Sequence, residues 1–259
     1  MATALIGGLL QQGFKPGDLR VIDVLEEARE RLQQQFGIRA DQALDGEIAE
    51  DAVLLAVKPQ QMCAIAKDLS ARLRGQLIIS IAAGIRTADL ARWLGGHDRI
   101  VRVMPNMPAL IRLGVSGMFA AAAVKQTDRD SAQSILGAVG GVVWVRDESD
   151  IDVVTAISGS GPAYVFYFIE ALEQAAVDLG LNDRQAHELA VQTFVGAARL
   201  AAASDEPAAI LRARVTSKAG TTEAALKIME ADDIKRKIVH AAHAAARRSR
   251  ELGDEFGKD

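Results

Sequence analysis

The chain is short of the residue types that mark several common protein classes. It has one cysteine in 259 residues, Cys63. A lone thiol forms no internal disulfide, so a disulfide-stapled scaffold is excluded and a reducing, cytoplasmic setting is expected. Cys63 lies in the apolar stretch Gln61-Met62-Cys63-Ala64-Ile65 and reads as a packed side chain, not a nucleophile. Aromatic residues make up only 4% and do not interleave with Lys or Arg, so there is no nucleic-acid stacking platform. Charge of one sign is also missing. The formal net charge is −4 with the two signs interspersed, and no basic stripe stands out. No apolar run reaches the roughly 18 residues of a membrane helix. The opening Met1-Ala2-Thr3-Ala4-Leu5-Ile6-Gly7-Gly8 lacks the basic flank of a secretory signal. His97, His187, His240 and His243 show no metal-ligand spacing, and neither a nucleophile elbow nor a triad is present.

Apolar residues, much of them alanine, reach 49%, and charged residues 25%, an ordinary globular balance that favours closely packed helices over a β-sandwich. The length suits one large domain or two modest ones. The first half alternates short apolar runs with helical stretches. Leu19-Arg20-Val21-Ile22-Asp23, Ala52-Val53-Leu54-Leu55-Ala56-Val57, Leu77-Ile78-Ile79-Ser80-Ile81, Ile100-Val101-Arg102-Val103-Met104 and Val142-Val143-Trp144-Val145 read as strands. The second, third and fourth of these lack polar alternation, which fits strands buried on both faces. The helices between them imply a Rossmann-like, doubly wound parallel sheet over residues 1–148. Beyond Glu148 no β-like run appears. Tyr164, Val165, Phe168, Ile169, Leu172, Ala176 and Leu179 recur at helical spacing, and Phe166 and Tyr167 widen that stripe. Such a helix must be enclosed by its own domain or by a partner subunit. Further helices are expected over 183–203, 207–214, 222–230 and 234–252, giving an all-α domain over 149–259.

A dinucleotide domain opens with a strand, a glycine-rich turn and then a helix. This chain opens on 2–10, which reads as that helix. Asp23 follows Ala2 by about the 20 residues that separate a fingerprint's last small residue from the acid that contacts ribose. In this register Met1 and Ala2 hold the last two fingerprint positions, and the first strand is missing: it and the first two glycines would lie upstream. The alternative is that the chain begins here and Asp23 is a surface carboxylate.

Three loops follow strand ends: Val57-Lys58-Pro59, Ala82-Ala83-Gly84 and Met104-Pro105-Asn106. Ligands of open α/β sheets sit beyond the carboxyl ends of the strands, and small residues there let a flat cofactor approach the backbone. Ser158-Gly159-Ser160-Gly161-Pro162 precedes the apolar helix and reads as an N-cap with Pro in the first turn. Uncovered N–H groups at such a start attract an anion. Thr216-Ser217-Lys218-Ala219-Gly220-Thr221-Thr222 is a second helix start of this kind. Together the two suit a small carboxylate substrate.

These stretches resemble one family, pyrroline-5-carboxylate reductase. The resemblance is carried by Ala4-Leu5-Ile6-Gly7-Gly8-Leu9, Leu55-Ala56-Val57-Lys58-Pro59-Gln60, Ile79-Ser80-Ile81-Ala82-Ala83-Gly84-Ile85 and Val101-Arg102-Val103-Met104-Pro105-Asn106-Met107-Pro108-Ala109. Most specific are Val154-Thr155-Ala156-Ile157-Ser158-Gly159-Ser160-Gly161-Pro162-Ala163-Tyr164 and Val215-Thr216-Ser217 with Gly220-Thr221-Thr222. The resemblance implies hydride transfer from NADPH, or NADH, to the C=N carbon of 1-pyrroline-5-carboxylate, giving L-proline, the last step of proline biosynthesis. It implies that Met1, Ala2, Asp23, Val57, Lys58, Pro59, Ala82, Ala83, Met104, Pro105 and Asn106 line the cofactor. Ser158, Gly159, Ser160, Gly161, Pro162, Ser217, Gly220 and Thr221 would form the substrate pocket, with the Thr222 hydroxyl on the ring nitrogen. It further implies a homodimer through the helical domains, and rings of dimers.

Three departures stand out. The family's opening strand and glycine-rich turn are missing, its common Ser-Pro-Gly-Gly-Thr is Ser217-Lys218-Ala219-Gly220-Thr221, and Met107 replaces a usual Thr. Ala219 would be strained if φ > 0 were required there. Asp23 suits a ribose 2′-OH, whereas Arg20 or Arg29 would serve a 2′-phosphate. NADPH is the expectation on family grounds. The competing readings are a non-catalytic relic with a damaged cofactor site, and a related reductase of another imine or hydroxy acid.

Overall fold

Largely apolar runs at 52–55, 77–80 and 100–104 form strands of the first unit, and Gly, Pro and Asn punctuate their ends. The computed structural model describes residues 1–258. It divides into two units, Met1–Ser160 with the stretch from Ala245 onward, and Gly161–Ala244. In the first unit, α1 (Ala2–Gln11) leads to β1 (Arg20–Ile22), α2 (Glu26–Phe36) and β2 (Arg39–Asp41). Gly37 at φ 65 ends α2 in the left-handed conformation that glycine adopts freely. Then follow β3 (Ala52–Leu55), α3 (Pro59–Ser70), β4 (Leu77–Ser80), α4 (Thr87–Trp93), β5 (Ile100–Met104), β6 (Gly114–Ala120), α5 (Gln126–Gly137) and β7 (Gly140–Trp144).

The strands lie in two sheets. β1 pairs with β2 in parallel, and the larger sheet has the order β3-β4-β5-β6-β7. β3, β4 and β5 are parallel neighbours, as expected. The larger sheet is nevertheless mixed, because β6 runs antiparallel to β5. The sequence reading has no strand at 114–120, since glycines and a serine interrupt its apolar run. Those glycines serve close packing instead. A Cβ on Gly114 would come within 2.9 Å of Ala109, and one on Gly117 would collide with the Val154 side chain. β2 also escapes the pattern, being short and polar. Its Asp41 accepts Nε–H bonds from Arg20 at 2.8 Å and Arg39 at 2.7 Å.

No hydrogen-bonded strand joins the two sheets among the described residues. The first helix packs against both. Leu5 is buried with Leu77, Ile79, Val101 and Val103 of the larger sheet. Its neighbour Ile6 is buried with Leu32 and Ile38 beside β1 and β2. Gly8 allows the approach, since a Cβ there would lie 2.5 Å from the Ala138 carbonyl oxygen.

The sequence boundary at 148/149 differs from the division of the folded chain. α6 (Asp150–Val154) and the turn after it pack on β5 and β6 and belong to the first unit. The end of α11 (Ile234–Phe256) belongs there too, where Ser249 Oγ donates to Asp152 Oδ1 at 2.6 Å.

The second unit comprises α7 (Gly161–Asp178), α8 (Asp183–Ala202), α9 (Ala208–Arg214), α10 (Thr221–Ala231) and the first half of α11. Asn182 and Gln185 form a reciprocal cap at the start of α8. Ala186 and Ala190 are the only buried residues of this unit among those described. The apolar start of α7 is therefore not enclosed by its own unit, and Phe166 and Tyr167 are 51% and 71% exposed. No helix of the described residues is long and apolar enough to cross a membrane.

Two stability measurements follow from the first unit. Alanine exceeds glycine in helix propensity by about 1 kcal/mol. Gly8→Ala should nevertheless destabilise by about 1–3 kcal/mol, because the added methyl meets a fixed backbone carbonyl. A urea midpoint at or above that of the parent would refute the close approach. The second concerns Asp128, whose carboxylate accepts from Arg99 Nη2 at 2.6 Å and from the Lys125 N–H at 3.0 Å. The Arg99 guanidinium, bonded to the carboxylate, holds the Asp128 carboxyl below its ordinary value. A lowered carboxyl contributes stability above its unfolded value and loses it as pH falls through the folded one. Asp128→Asn should thus lower the urea midpoint at pH 5–7, and the gap should close as pH drops below about 4. A gap constant with pH would show that the charge plays no part.

Candidate active site

Parallel pairing of β3, β4 and β5 brings their carboxyl ends to one edge of the sheet. Val57, Lys58 and Pro59, then Ala82 and Ala83, then Met104, Pro105 and Asn106 are carried there by three adjacent strands. Lys58 precedes the first turn of α3, and Pro59 occupies that turn, where its missing N–H costs no helical bond. Ala82 is buried, and Gly84 turns the chain at φ 74. Asn106 also takes part in the fold itself. It is buried, and its Oδ1 accepts the Val115 N–H at 3.0 Å, tying the loop to β6.

The start of α1, read from the sequence as the end of the fingerprint, leaves its first backbone donors uncapped. Met1 stands at the N-cap of α1, and no side chain caps the helix. Its first-turn N–H groups and the helix dipole favour a diphosphate there. Asp23 lies just beyond β1 with Oδ1 accepting the Leu25 N–H at 2.9 Å, while its carbonyl accepts from Arg29 Nη1 at 2.8 Å. Arg20 is held by Asp41. Of the two arginines weighed for a 2′-phosphate, Arg29 is the one beside Asp23. An uncapped helix start, small-residue strand ends and this acid–arginine corner fit a dinucleotide.

The structure corrects part of the reading of Ser158-Gly159-Ser160-Gly161-Pro162 as a helix start: Gly161 and Pro162 do open α7, but Ser158 is not its N-cap. The run lies inside a helical path that begins at Asp150. Over Thr155–Gly159 the helix widens to π geometry, and the Ser160 N–H donates to the Thr155 carbonyl, five residues back, at 2.8 Å. Ser158 does not cap: its Oγ donates to the Val154 carbonyl at 3.0 Å. Single π turns in α-helices recur at functional sites. This one reaches the carboxyl end of β5, since a Cβ on Gly159 would lie 2.6 Å from Met104 Cε. Met104 and Gly159, assigned to cofactor and substrate respectively, are therefore neighbours.

The second helix start is as expected. Gly220 is the N-cap of α10, Thr221 and Thr222 open the helix, and no side chain caps it. The N–H groups of that first turn suit a carboxylate. A Cβ on Gly220 would collide with Ser217 Oγ. Ala219 does adopt φ 58, the left-handed region that disfavours a side chain by roughly 1–2 kcal/mol. Its N–H donates to the Glu223 carboxylate, which helps hold the turn.

One group escaped the sequence reading. Glu148 accepts from the Thr87 N–H at 2.7 Å, the Thr87 hydroxyl at 2.8 Å and Arg102 Nη1 at 3.0 Å. Arg102 is 4% exposed, and its Nε has no partner. The signal was available, because a charge inside the apolar run Ile-Val-Arg-Val-Met must find a counterion.

Comparison with known proteins agrees with this geometry. A family model described as pyrroline-5-carboxylate reductase dimerisation matches residues 148–252, and one described as NADP oxidoreductase coenzyme F420-dependent matches residues 1–84. The chain is 44% identical over 260 residues to a pyrroline-5-carboxylate reductase of Pseudomonas aeruginosa, covering 100% of this chain and 95% of the relative. Among solved structures it is similar to the Coxiella burnetii pyrroline-5-carboxylate reductase, with a TM-score of 0.92 and 38% identity over 97% of this chain and 94% of that one. The Plasmodium falciparum pyrroline carboxylate reductase, solved with NADP bound, matches with a TM-score of 0.84 and 28% identity over 96% of this chain and 93% of that one. Identity of that order over nearly the whole of both chains establishes that this protein belongs to the pyrroline-5-carboxylate reductase family.

Proposed function

We propose that the chain reduces 1-pyrroline-5-carboxylate to L-proline with a nicotinamide cofactor, NADPH preferred, as the last step of proline biosynthesis in the cytoplasm. The observation that carries the reading is the uncapped start of α10 at Gly220, Thr221 and Thr222, in a chain whose other unit is built for a dinucleotide. The nicotinamide supplies the hydride that adds to the C=N carbon. The protein's task is to anchor the imine and handle its nitrogen. The first N–H groups of α10 hold the substrate carboxylate, and the Thr222 hydroxyl contacts the ring nitrogen. Ser217 and the π-turn residues Ser158, Gly159, Ser160, with Gly161 and Pro162, shape the pocket. On the cofactor side, Met1 and Ala2 present the α1 N–H groups to the diphosphate. Val57, Lys58, Pro59, Ala82, Ala83, Met104, Pro105 and Asn106 form the floor. The preference for NADPH rests on the family, with Arg29, bonded to the Asp23 carbonyl, as the arginine available to a 2′-phosphate.

The working form is a homodimer, assembled further into rings of dimers. Two buried alanines cannot stabilise a helical unit of this size, and its exposed Phe166, Tyr167, Leu172, Leu189 and Ile228 need a covering surface. Sedimentation velocity should give twice the chain mass or a multiple of that. A stable monomer at micromolar concentration would defeat this part of the proposal.

Imine-dependent loss of NADPH absorbance tests the activity directly. Thr222→Val keeps the shape and removes the hydroxyl. It should lower kcat by roughly 100-fold while the KM for NADPH stays within about twofold. An unchanged kcat would remove Thr222 from the mechanism. A dimer that binds NADPH but does not reduce the imine would overturn the whole reading.

A further inference from the structure

The turn after β4 is held from outside by the far end of the chain. Gly84 takes φ 74, and a Cβ there would lie 2.9 Å from Phe256 Cδ2 and 3.4 Å from Leu252 Cβ. The Phe256 ring thus rests directly on the glycine and joins the buried cluster of Ile85, Leu90 and Trp93. Polar contacts fix the same stretch. Arg86 Nη2 donates to Asp254 Oδ1 at 2.7 Å, and Arg92 Nη2 donates to the Gly257 carbonyl at 2.8 Å. Further up the helix, the buried bond from Ser249 to Asp152 secures it to α6.

We infer that the C-terminal end of α11 is a latch that sets the shape of the 82–84 turn for nucleotide binding, with Phe256 as its positioning residue. The inference rests on reading that turn as part of the cofactor site. Glycine has the widest conformational range of any residue, so a turn built on it is not self-defining. A ring packed on its α-carbon removes that freedom before the ligand arrives, and preorganisation of this kind is gained as affinity. Phe256 touches no reacting atom and acts only through the backbone it holds. Because α11 begins among residues of the second unit and ends on this turn, one helix serves both units.

The test uses the full chain with Phe256→Ala, Phe256→Leu and Asp254→Asn. NADPH titration by fluorescence should give a Kd raised roughly tenfold in Phe256→Ala. The imine KM and the kcat at saturating NADPH should stay within about twofold. Phe256→Leu, which refills most of the space, should recover most of the affinity. General loosening would move both KM values together, and that result overturns the latch, as does an unchanged Kd. If Phe256→Ala does not fold, Asp254→Asn decides. A raised Kd at an unaltered melting temperature supports the latch, and an unaltered Kd refutes it. Hydrogen exchange over residues 82–86 separates this inference from the reading it rests on. A parent chain without affinity for NADPH would defeat the cofactor assignment, yet faster exchange there in the variants would still support the latch, and equal exchange would refute it.

Discussion

Arg102 leaves β5 in the middle of the larger sheet, where a guanidinium has no water to turn to. Its Nη1 bonds Glu148, and the same carboxylate accepts both the N–H and the hydroxyl of Thr87. Removing one partner of such a buried pair leaves a charge stranded, at a cost of about 3–5 kcal/mol. The pair therefore fixes where the chain enters α6. From that point the helix follows the sheet, with Val154 against Gly117 and Gly159 against Met104. The position of the π turn beyond β5 follows from a contact near the start of the same helix.

The first unit is thus organised around one edge. Parallel β3, β4 and β5 bring three small-residue loops to it, the π turn reaches it from α6, and Phe256 braces the middle loop. What this unit offers at the candidate cofactor site is backbone: N–H groups at the uncapped start of α1, and glycines where a Cβ would meet neighbouring atoms. The second unit shows the complementary economy. Only α8 among its helices carries a reciprocal side-chain cap, and most of the unit's large apolar side chains are left exposed.

Much of this was legible beforehand. Runs such as Leu77-Ile78-Ile79 have no polar alternation, so burial on both faces was forced, and the helical period of the second half is unambiguous. The Gly220 start could be read because capping is local: a few residues and their φ, ψ values decide it. β6 could not be read, because its glycines look like a loop until Ala109 and Val154 are seen filling the space where their side chains would be. Nor could the return of α11 to the first unit, which depends on contacts more than 160 residues apart in the chain.

Ser158-Gly159-Ser160-Gly161-Pro162 marks the division most sharply. By itself the sequence determined that this run is small, hydroxyl-bearing and unsuited to a regular helix interior. The same local signals suit a capped start and a widened turn within a helix. Only the tertiary structure chose between them. With Glu148 anchored on Arg102, the helix already begins at Asp150. The run must then be absorbed within it, and the bond from Ser160 to Thr155 absorbs it by reaching back one residue further than an α-helix does.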